Sequence, residues 1–212
     1  MIPAQFDYVA PTTLKEAVAI LAQHGDRAKL LAGGHSLIPA MKLRLAQPEL
    51  VVDLGRLKDL AYIKEQDGQV RIGTLTTHYQ IESSARLREI CPLLPETASY
   101  IGDVQVRNKG TIGGSLAHAD PAADWPAAII ALRADLVATS PTGERVIKAD
   151  DFFVDVFTTA LAANEILAEI RIATVPARTG QAYVKMAQPA SGFAVVGIAV
   201  TLTRDASGKC AA

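Results

Sequence analysis

Apolar residues recur at helical spacing near the start of the chain. Leu14, Val18 and Leu21 repeat every three to four positions, which predicts an amphipathic helix. The segment TLKE at residues 13–16 has the form of a capping box and predicts where this helix begins, and Gly25 predicts where it ends. Three further elements complete a small α+β unit: a strand over residues 29–31, a helix over 37–44 and a strand over 50–54.

From residue 57 onwards the pattern changes to short strands with a long helical stretch between them. The dipeptide Asp67-Gly68 separates two such strands and predicts a tight hairpin turn. Residues 77–100 are helical in character, with predicted breaks at Pro92 and Pro95. A further helix is predicted over residues 124–133. The predicted strands cover residues 61–64, 69–72, 136–139, 145–148, 165–172, 181–186 and 194–203.

These elements predict an α+β protein with two lobes and the start of a third domain. We divide the chain into an N-terminal lobe (residues 1–56), a central lobe (57–176) and the beginning of a C-terminal domain (177–212). The segment DASG at residues 205–208 predicts a turn, after which the chain ends before a partner strand is complete. Because an unpaired strand edge is prone to aggregation, we expect that the sequence is truncated inside this domain. An intact mass of 22.4 kDa for the source protein would contradict this.

Composition and charge exclude several classes of protein. Half of the 212 residues are hydrophobic, which is unlike a disordered chain, and the formal net charge of −1 indicates no basic face for nucleic acid. No apolar run approaches the ~20 residues of a membrane span, and the N-terminus does not have the form of a signal peptide. Cys91 and Cys210 lack CxxC spacing, so we expect a reducing, cytoplasmic setting.

Two segments carry the candidate chemistry. The first glycine segment is AGGHS at residues 32–36, directly after an apolar strand, and the second glycine segment is TIGGS at residues 111–115. Glycine pairs permit positive φ and the close approach of a ligand, consecutive backbone N–H groups bind anionic oxygens, and a serine hydroxyl adds a donor. A single Gly-Gly pair is more often only a turn. Two such segments, far apart in the sequence, predict a pyrophosphate held from two sides.

Other functional motifs are absent from the sequence. There is no GxxxxGK[ST] motif and no GxGxxG motif after a strand, so a dinucleotide would be held without the Rossmann arrangement. His118 has no second histidine at metal-ligand spacing, and neither Ser36 nor Ser115 has a histidine–acid partner in a recognisable motif. We therefore assign no catalytic residue and no metal site. His24 is predicted at a helix end and His78 at the surface.

Three segments carry a family resemblance. They are AGGHSLIP at residues 32–39, TIGGSLAHADPAADWPAAIIAL at 111–132 and YVKMAQPASGFAVVGIAV at 183–200. In this order and spacing they closely resemble the FAD-binding medium subunits of carbon monoxide dehydrogenases and, more widely, the flavin subunits and domains of the molybdenum hydroxylases, including xanthine dehydrogenase. The resemblance runs from Pro3 to the end of the chain.

The resemblance implies a two-lobed FAD-binding domain of the vanillyl-alcohol-oxidase (PCMH) type, closed by a C-terminal domain. The two glycine segments would hold the pyrophosphate and adjacent ribityl oxygens, through Ala32, Gly33, Gly34, His35, Ser36, Thr111, Ile112, Gly113, Gly114 and Ser115. The other positions that match flavin-contacting residues are Ile101, Asp124, Leu161, Lys185 and Phe193. Relatives often carry a basic residue where this chain has Gln188 and an acid where it has Gly192, which changes the charge expected near the ring.

Three of these residues also have a structural interpretation. Asp124 would cap a helix or, by the resemblance, bind a cofactor hydroxyl. Lys185 would lie on a solvated strand face or stabilise negative charge at the N1/O2 edge of the reduced flavin ring. His35 would donate to a phosphate or be satisfied by the backbone.

The function implied by the resemblance is that of an electron-transfer subunit. The substrate would be oxidised at a molybdenum cofactor on a large partner subunit, and [2Fe–2S] clusters on a small partner subunit would pass electrons to FAD on this chain and on to an external acceptor. The expected assembly is a dimer of heterotrimers in the cytoplasm, with at most an association with the inner face of the membrane through the complex. Carbon monoxide, an aldehyde or an N-heterocycle stays open as substrate. Two alternatives are a flavin-less scaffold subunit and a self-contained FAD oxidase, although the sequence offers no acid or base that an oxidase would need.

Overall fold

The N-terminal part of the chain is a small parallel sheet with helices. The computed structural model describes residues 1–211. The elements of this part are β1 (Asp7–Val9), α1 (Leu14–His24), β2 (Ala28–Leu31), α2 (Leu37–Lys42) and β3 (Leu50–Asp53). The strands lie in the order β1-β3-β2, and α1 buries Val18 and Leu21 against Val52 of the central strand. All of these elements except β1 are predicted by the sequence pattern.

Helix α1 begins and ends where the sequence predicts, with one change in its capping. Glu16 N donates to Thr13 Oγ1 at 3.1 Å, and Gly25 follows the last turn at a φ of 55°. The Glu16 carboxylate accepts from the N–H of Thr12 at 2.8 Å. The predicted capping box is therefore wrong in its second half, since the reciprocal bond comes from the residue before the cap.

The central part is a five-stranded antiparallel sheet covered on one face by helices. Its elements are β4 (Ile63–Gln66), β5 (Gln69–Gly73), α3 (His78–Glu82), α4 (Ala85–Ile90), α5 (Leu93–Ser99), α6 (Val104–Lys109), α7 (Ile112–His118), α8 (Trp125–Ala131), β6 (Asp135–Ser140), β7 (Gly143–Lys148), α9 (Ala149–Phe152), β8 (Phe153–Asp155), β9 (Thr158–Thr159) and β10 (Ile166–Ala173). The sheet order is β4-β5-β10-β6-β7, and β8 and β9 form a separate hairpin. Asp67 and Gly68 make the predicted β4–β5 turn, both with positive φ. The fully buried side chains of Ile72, Ile170 and Trp125 lie in the core between sheet and helices.

The helical stretch predicted over residues 77–100 consists of three short helices. Pro92 separates α4 from α5, as predicted. Pro95 is the third residue of α5, where a missing N–H loses no intrahelical bond, so the break predicted there is wrong. The unpredicted break lies between α3 and α4, where Ser84 caps the new helix by accepting from Leu87 N at 3.2 Å.

The last part is a long antiparallel hairpin, and both of its strands contact helices of the central part. It consists of β11 (Thr179–Ala187) and β12 (Ala194–Thr203), which form a two-stranded sheet. Two side chains fasten β11 to α5: Gln181 Oε1 accepts from Leu93 N at 3.2 Å, and Glu96 Oε2 accepts from Tyr183 N at 2.8 Å. The predicted turn at residues 205–208 is present.

The arrangement confirms the predicted α+β class. Among residues 1–211 no helix is long and apolar enough to cross a membrane. For the site, the important consequence is that β2 leads directly into the first glycine segment, and α6 leads into the second.

Candidate functional site

The first glycine segment is an open turn between β2 and α2. Gly34 has a φ of 75°, which favours glycine. The carbonyls of Gly34 and Ser36 accept from Ile38 and Ala40, whereas the N–H groups of residues 33–36 donate to no protein acceptor within residues 1–211. His35 Nδ1 lies 2.9 Å from Gly33 O, which agrees with the interpretation of this histidine as satisfied by the backbone. The turn therefore presents consecutive unused backbone donors.

The second glycine segment is not a turn but the start of α7, which corrects the sequence prediction. Thr111 is the N-cap, and neither Gly113 nor Gly114 has a positive φ. The N–H groups here are already used: Ile112 donates to Thr76 O, Gly113 to Thr74 O and Gly114 to Thr111 Oγ1, at 2.9 to 3.1 Å. The backbone of the second glycine segment therefore donates to Thr74 and Thr76, which precede α3, and to the side chain of Thr111. It has no row of free N–H donors.

Gly113 is required by packing rather than by backbone conformation. A Cβ on this residue would stand 1.6 Å from Thr74 Oγ1 and 2.7 Å from Thr74 O. No side chain fits at such distances, so only glycine lets α7 approach the end of β5 this closely.

The two glycine segments are in contact. A Cβ on Gly33 would stand 2.3 Å from Lys109 O and 2.7 Å from the Cα of Gly110, directly before the second segment. A Cβ on Gly114 would stand 3.5 Å from the Cβ of Ala32. The convergence predicted from the sequence is therefore confirmed, and Gly33 is the residue that permits it.

Asp124 and Lys185 form a buried ion pair beside α8. Lys185 Nζ lies 2.9 Å from Asp124 Oδ2 and donates to Tyr100 O at 3.0 Å, and the two side chains are 2% and 6% exposed. The Tyr183 hydroxyl donates to Asp124 Oδ1 at 2.6 Å. Burial raises the pKa of Tyr183, and its hydrogen bond to Asp124 raises it further. Asp124 does occupy the N-cap position of α8, but its side chain makes no capping hydrogen bond. The solvated-face interpretation of Lys185 is wrong, because the ammonium is buried against Asp124.

The other candidate residues lie at the edges of this region. Ile101 is half-buried directly after Tyr100, and Leu161 is half-buried two residues after β9, which packs on α7. Phe193 is 49% exposed at the tip of the hairpin, and its neighbour Ala194 donates to Ala122 O at 3.3 Å. Ile101 and Phe193 thus lie on the side of the ion pair of Asp124 with Lys185, and Leu161 lies on the side of α7.

His78 is buried, so its predicted position at the surface is wrong. The residue is 4% exposed, and its Nδ1 accepts from Trp125 Nε1 at 3.1 Å. Its pKa is lowered to about 4, chiefly by desolvation and to a smaller extent by electrostatic interaction with His35 and Arg107. A histidine so close to both glycine segments belongs to the candidate site.

One sequence signal could have found it. Thr77 and Gln80 form a complete capping box, with Gln80 N bonded to Thr77 Oγ1 and Thr77 N bonded to Gln80 Oε1. That box places His78 and Ile81 three residues apart, on one helix face. Ile81 is fully buried, so its neighbour on that face is buried as well.

Comparison with known proteins assigns the family. Residues 4–175 match the family model described as the FAD binding domain in molybdopterin dehydrogenase. The chain belongs to this family. The match confirms the resemblance stated from the sequence motifs and FAD as the cofactor, and it favours neither a flavin-less scaffold nor a self-contained oxidase.

Individual relatives of the chain are subunits of dehydrogenases. It is 45% identical over 205 residues to the carbon monoxide dehydrogenase medium chain of Hydrogenophaga pseudoflava, covering 97% of this chain and 71% of that one. It is 39% identical over 210 residues to the 6-hydroxypseudooxynicotine dehydrogenase complex subunit alpha of Paenarthrobacter nicotinovorans, covering 99% and 71%. A solved carbon monoxide dehydrogenase structure from H. pseudoflava matches with a TM-score of 0.96 at 46% identity, over all of this chain and 74% of that one. This chain is accordingly an oxidoreductase subunit.

Proposed function

We propose that this chain holds the diphosphate of FAD where its two glycine segments meet, and acts there as the electron-transfer subunit of a molybdenum hydroxylase. The observation that carries the proposal is the row of unused N–H groups at residues 33–36, set against the chain before α7. Donors of this kind fit a diphosphate, because consecutive backbone N–H groups form a concave site for anionic oxygens. When bound, FAD supplies the redox chemistry that takes electrons from iron–sulfur clusters and delivers them to an external acceptor.

The two segments would contribute differently. The backbone of Gly33, Gly34, His35 and Ser36 would supply the donors, and the Ser36 hydroxyl would add one more. Ala32 would pack beside them, against Gly114. The second segment would pack against the diphosphate rather than donate to it, because its N–H groups are largely used within the protein. This applies to Thr111, Ile112, Gly113 and Gly114. Ser115 would supply a hydroxyl.

The remaining candidates would line the rest of the cofactor. Asp124 and Lys185 would act as one unit, since each already neutralises the other. The half-buried residues Ile101 and Leu161 and the exposed ring of Phe193 would supply apolar contact.

The proposed assembly follows the family. The partners would be a molybdenum-cofactor subunit and an iron–sulfur subunit, in a dimer of heterotrimers in the cytoplasm, with the chain divided as residues 1–56, 57–176 and 177–212. Substrate selection would lie on the molybdenum subunit, since relatives named for carbon monoxide and for 6-hydroxypseudooxynicotine resemble this chain to a similar extent.

Valine substitutions test this function in the assembled complex. Gly33→Val adds atoms where a Cβ alone would stand 2.3 Å from Lys109 O, and Gly114→Val adds them between Thr111 and Ala32. Gly180→Val is the matched control, because a Cβ there meets nothing within 4 Å. We expect the first two variants to lose flavin absorbance while the partners still assemble, and the control to keep it.

Two results would contradict the proposal. Normal turnover by a Gly33→Val complex that has lost its flavin would favour the scaffold. Reduction of bound flavin by small substrates without any partner subunit would favour the oxidase.

A further inference from the structure

His78 is held in one tautomer by Trp125. The indole Nε1–H only donates hydrogen bonds, so the His78 Nδ1 that it meets at 3.1 Å must be an acceptor. The neutral imidazole therefore carries its proton on Nε2. Both residues are buried, with Trp125 fully so and His78 4% exposed, and their rings lie 5.9 Å apart between centroids.

The Nε2–H of His78 faces the junction of the glycine segments. This nitrogen lies 2.6 Å from the position that a Cβ on Gly110 would take, and the Cα of Gly110 lies in turn against Gly33. The backbone reinforces the contact, because His78 N donates to Gly110 O at 3.0 Å. Any side chain at position 110 would occupy the space in front of the imidazole.

Within residues 1–211 no protein atom accepts a hydrogen bond from His78 Nε2. This nitrogen is not among the fully enclosed side-chain atoms that lack a partner, so it keeps access from outside the protein, where a ligand oxygen or a water can accept its hydrogen bond. Arg107, the permanent cation near the imidazole, is paired with Glu82 at 2.7 Å, which leaves the neutral imidazole as the side-chain donor at this point.

We propose that the Nε2–H of His78 donates a hydrogen bond to a diphosphate oxygen of the dinucleotide bound at the two glycine segments, and that Trp125 fixes the tautomer that makes this possible. The inference rests on the proposed function and adds an imidazole donor to a site otherwise built from backbone N–H groups and serine hydroxyls. His78 is then a binding residue, and Trp125 is a positioning residue.

Two substitutions of His78 separate its two nitrogens. In His78→Asn the amide oxygen reaches the place of Nδ1 and still accepts from Trp125, but nothing stands at Nε2. In His78→Gln the longer side chain brings an N–H group to the place of Nε2. His24→Asn, at the last residue of α1, is the matched control.

The probes are FAD, ADP and riboflavin, added to the flavin-free protein and to each variant. A hydrogen bond to a charged group contributes about 1.5–3 kcal/mol, which corresponds to a loss of roughly tenfold to 150-fold in affinity. We expect this loss for FAD and ADP in His78→Asn, little change in His78→Gln and His24→Asn, and unchanged binding of riboflavin, which has no phosphate.

The outcomes distinguish the two proposals. If the unaltered protein binds neither FAD nor ADP, the proposed function fails and this inference with it. If it binds both, and His78→Asn binds both within twofold of the unaltered protein, only the role of His78 is overturned. An equal loss of riboflavin and ADP binding would also overturn it, because the defect would then be general.

A measurement on the unaltered protein covers the case in which His78→Asn does not fold. The ¹H–¹⁵N resonances of the imidazole should report a proton on Nε2, and this proton should shift downfield when ADP is added. A proton on Nδ1, or an Nε2–H resonance unmoved at saturating ADP, would contradict the inference.

Discussion

Buried polar side chains stabilise the site. The ion pair of Asp124 with Lys185 is the most buried ion pair among residues 1–211. Its carboxylate also accepts from Tyr183, and its ammonium also donates to Tyr100 O. Removing one partner of such a pair leaves the other charge buried and uncompensated, which is far more unfavourable than losing an exposed pair.

Lys185→Met should therefore lower the free energy of unfolding by about 3–5 kcal/mol, measured by urea denaturation. The control is Lys148→Met, whose lysine is 67% exposed beside Asp135 and should contribute no more than about 1 kcal/mol. The double variant Asp124→Asn, Lys185→Met should recover much of the loss. Equal effects of Lys185→Met and Lys148→Met would contradict the buried-pair description.

His78 makes stability depend on pH. Its pKa is lowered to about 4 in the native state, chiefly by desolvation and to a smaller extent by electrostatic interaction with His35 and Arg107, whereas the unfolded chain has the ordinary value of about 6.5. Between these values the unfolded state binds a proton that the native state does not. The free energy of unfolding should therefore fall by up to about 3 kcal/mol as the pH drops from about 6.5 to 4.

Denaturation at a series of pH values checks this, with His78→Gln as the comparison. Glutamine does not titrate, so the difference between the two curves isolates the histidine. If the free energies of unfolding of the unaltered protein and of His78→Gln differ by the same amount at pH 7 and at pH 4, the lowered native-state pKa of His78 is contradicted.

At the scale of elements, α7 shows how packing overrides a local pattern. Two adjacent glycines disfavour a helix by roughly 1 kcal/mol each relative to alanine, yet α7 begins with them inside its first turn. The helix forms because Thr111 caps it and because Ile112 and Gly113 bond to the backbone before α3.

Gly113→Ala should destabilise the protein even though alanine is the better helix former. Its Cβ would stand 1.6 Å from Thr74 Oγ1, and overpacking of this kind costs about 1–3 kcal/mol. Gly114→Ala is the neighbouring control, since its nearest obstacle is the Thr111 hydroxyl at 2.8 Å. Thermal unfolding should show the larger loss for Gly113→Ala, and a higher midpoint for that variant would refute the packing argument.

Local sequence determines some of these elements and tertiary contacts the others. The α1 helix and the turn at Asp67 and Gly68 are predicted correctly because their signals lie within a few residues. The helical state of Gly113 depends on Thr74, which lies far away in sequence. For the same reason the sequence predicts the convergence of the glycine segments but not which N–H groups remain free.

The same limit applies to the side chains of the site. His78 is buried by Trp125, 47 positions away, and Lys185 by Asp124, 61 positions away. Neither pairing is visible in the residues next to His78 or Lys185. The local pattern therefore predicts His78 at the surface and does not decide between the two interpretations of Lys185. The family resemblance identifies Asp124 and Lys185 as important without saying that they contact each other.

For the whole molecule, the site lies where separate parts of the chain meet. The turn after β2 belongs to the N-terminal sheet, and it packs on the end of α6 in the central part through Gly33. The hairpin of β11 and β12 reaches the same region through Lys185 and Tyr183. A ligand held at this junction would contact all three parts, so its binding should stabilise their arrangement.

The most direct test of this account is to follow the backbone amides of the first glycine segment by ¹H–¹⁵N NMR while FAD is added. The amides of Gly33, Gly34, His35 and Ser36, which have no protein acceptor within residues 1–211, should shift strongly downfield, and ADP should reproduce the effect. The amides of Ile112 and Gly113, already bonded to Thr76 and Thr74, should move much less. Saturable FAD binding that leaves the amides of residues 33–36 unmoved would contradict the central claim.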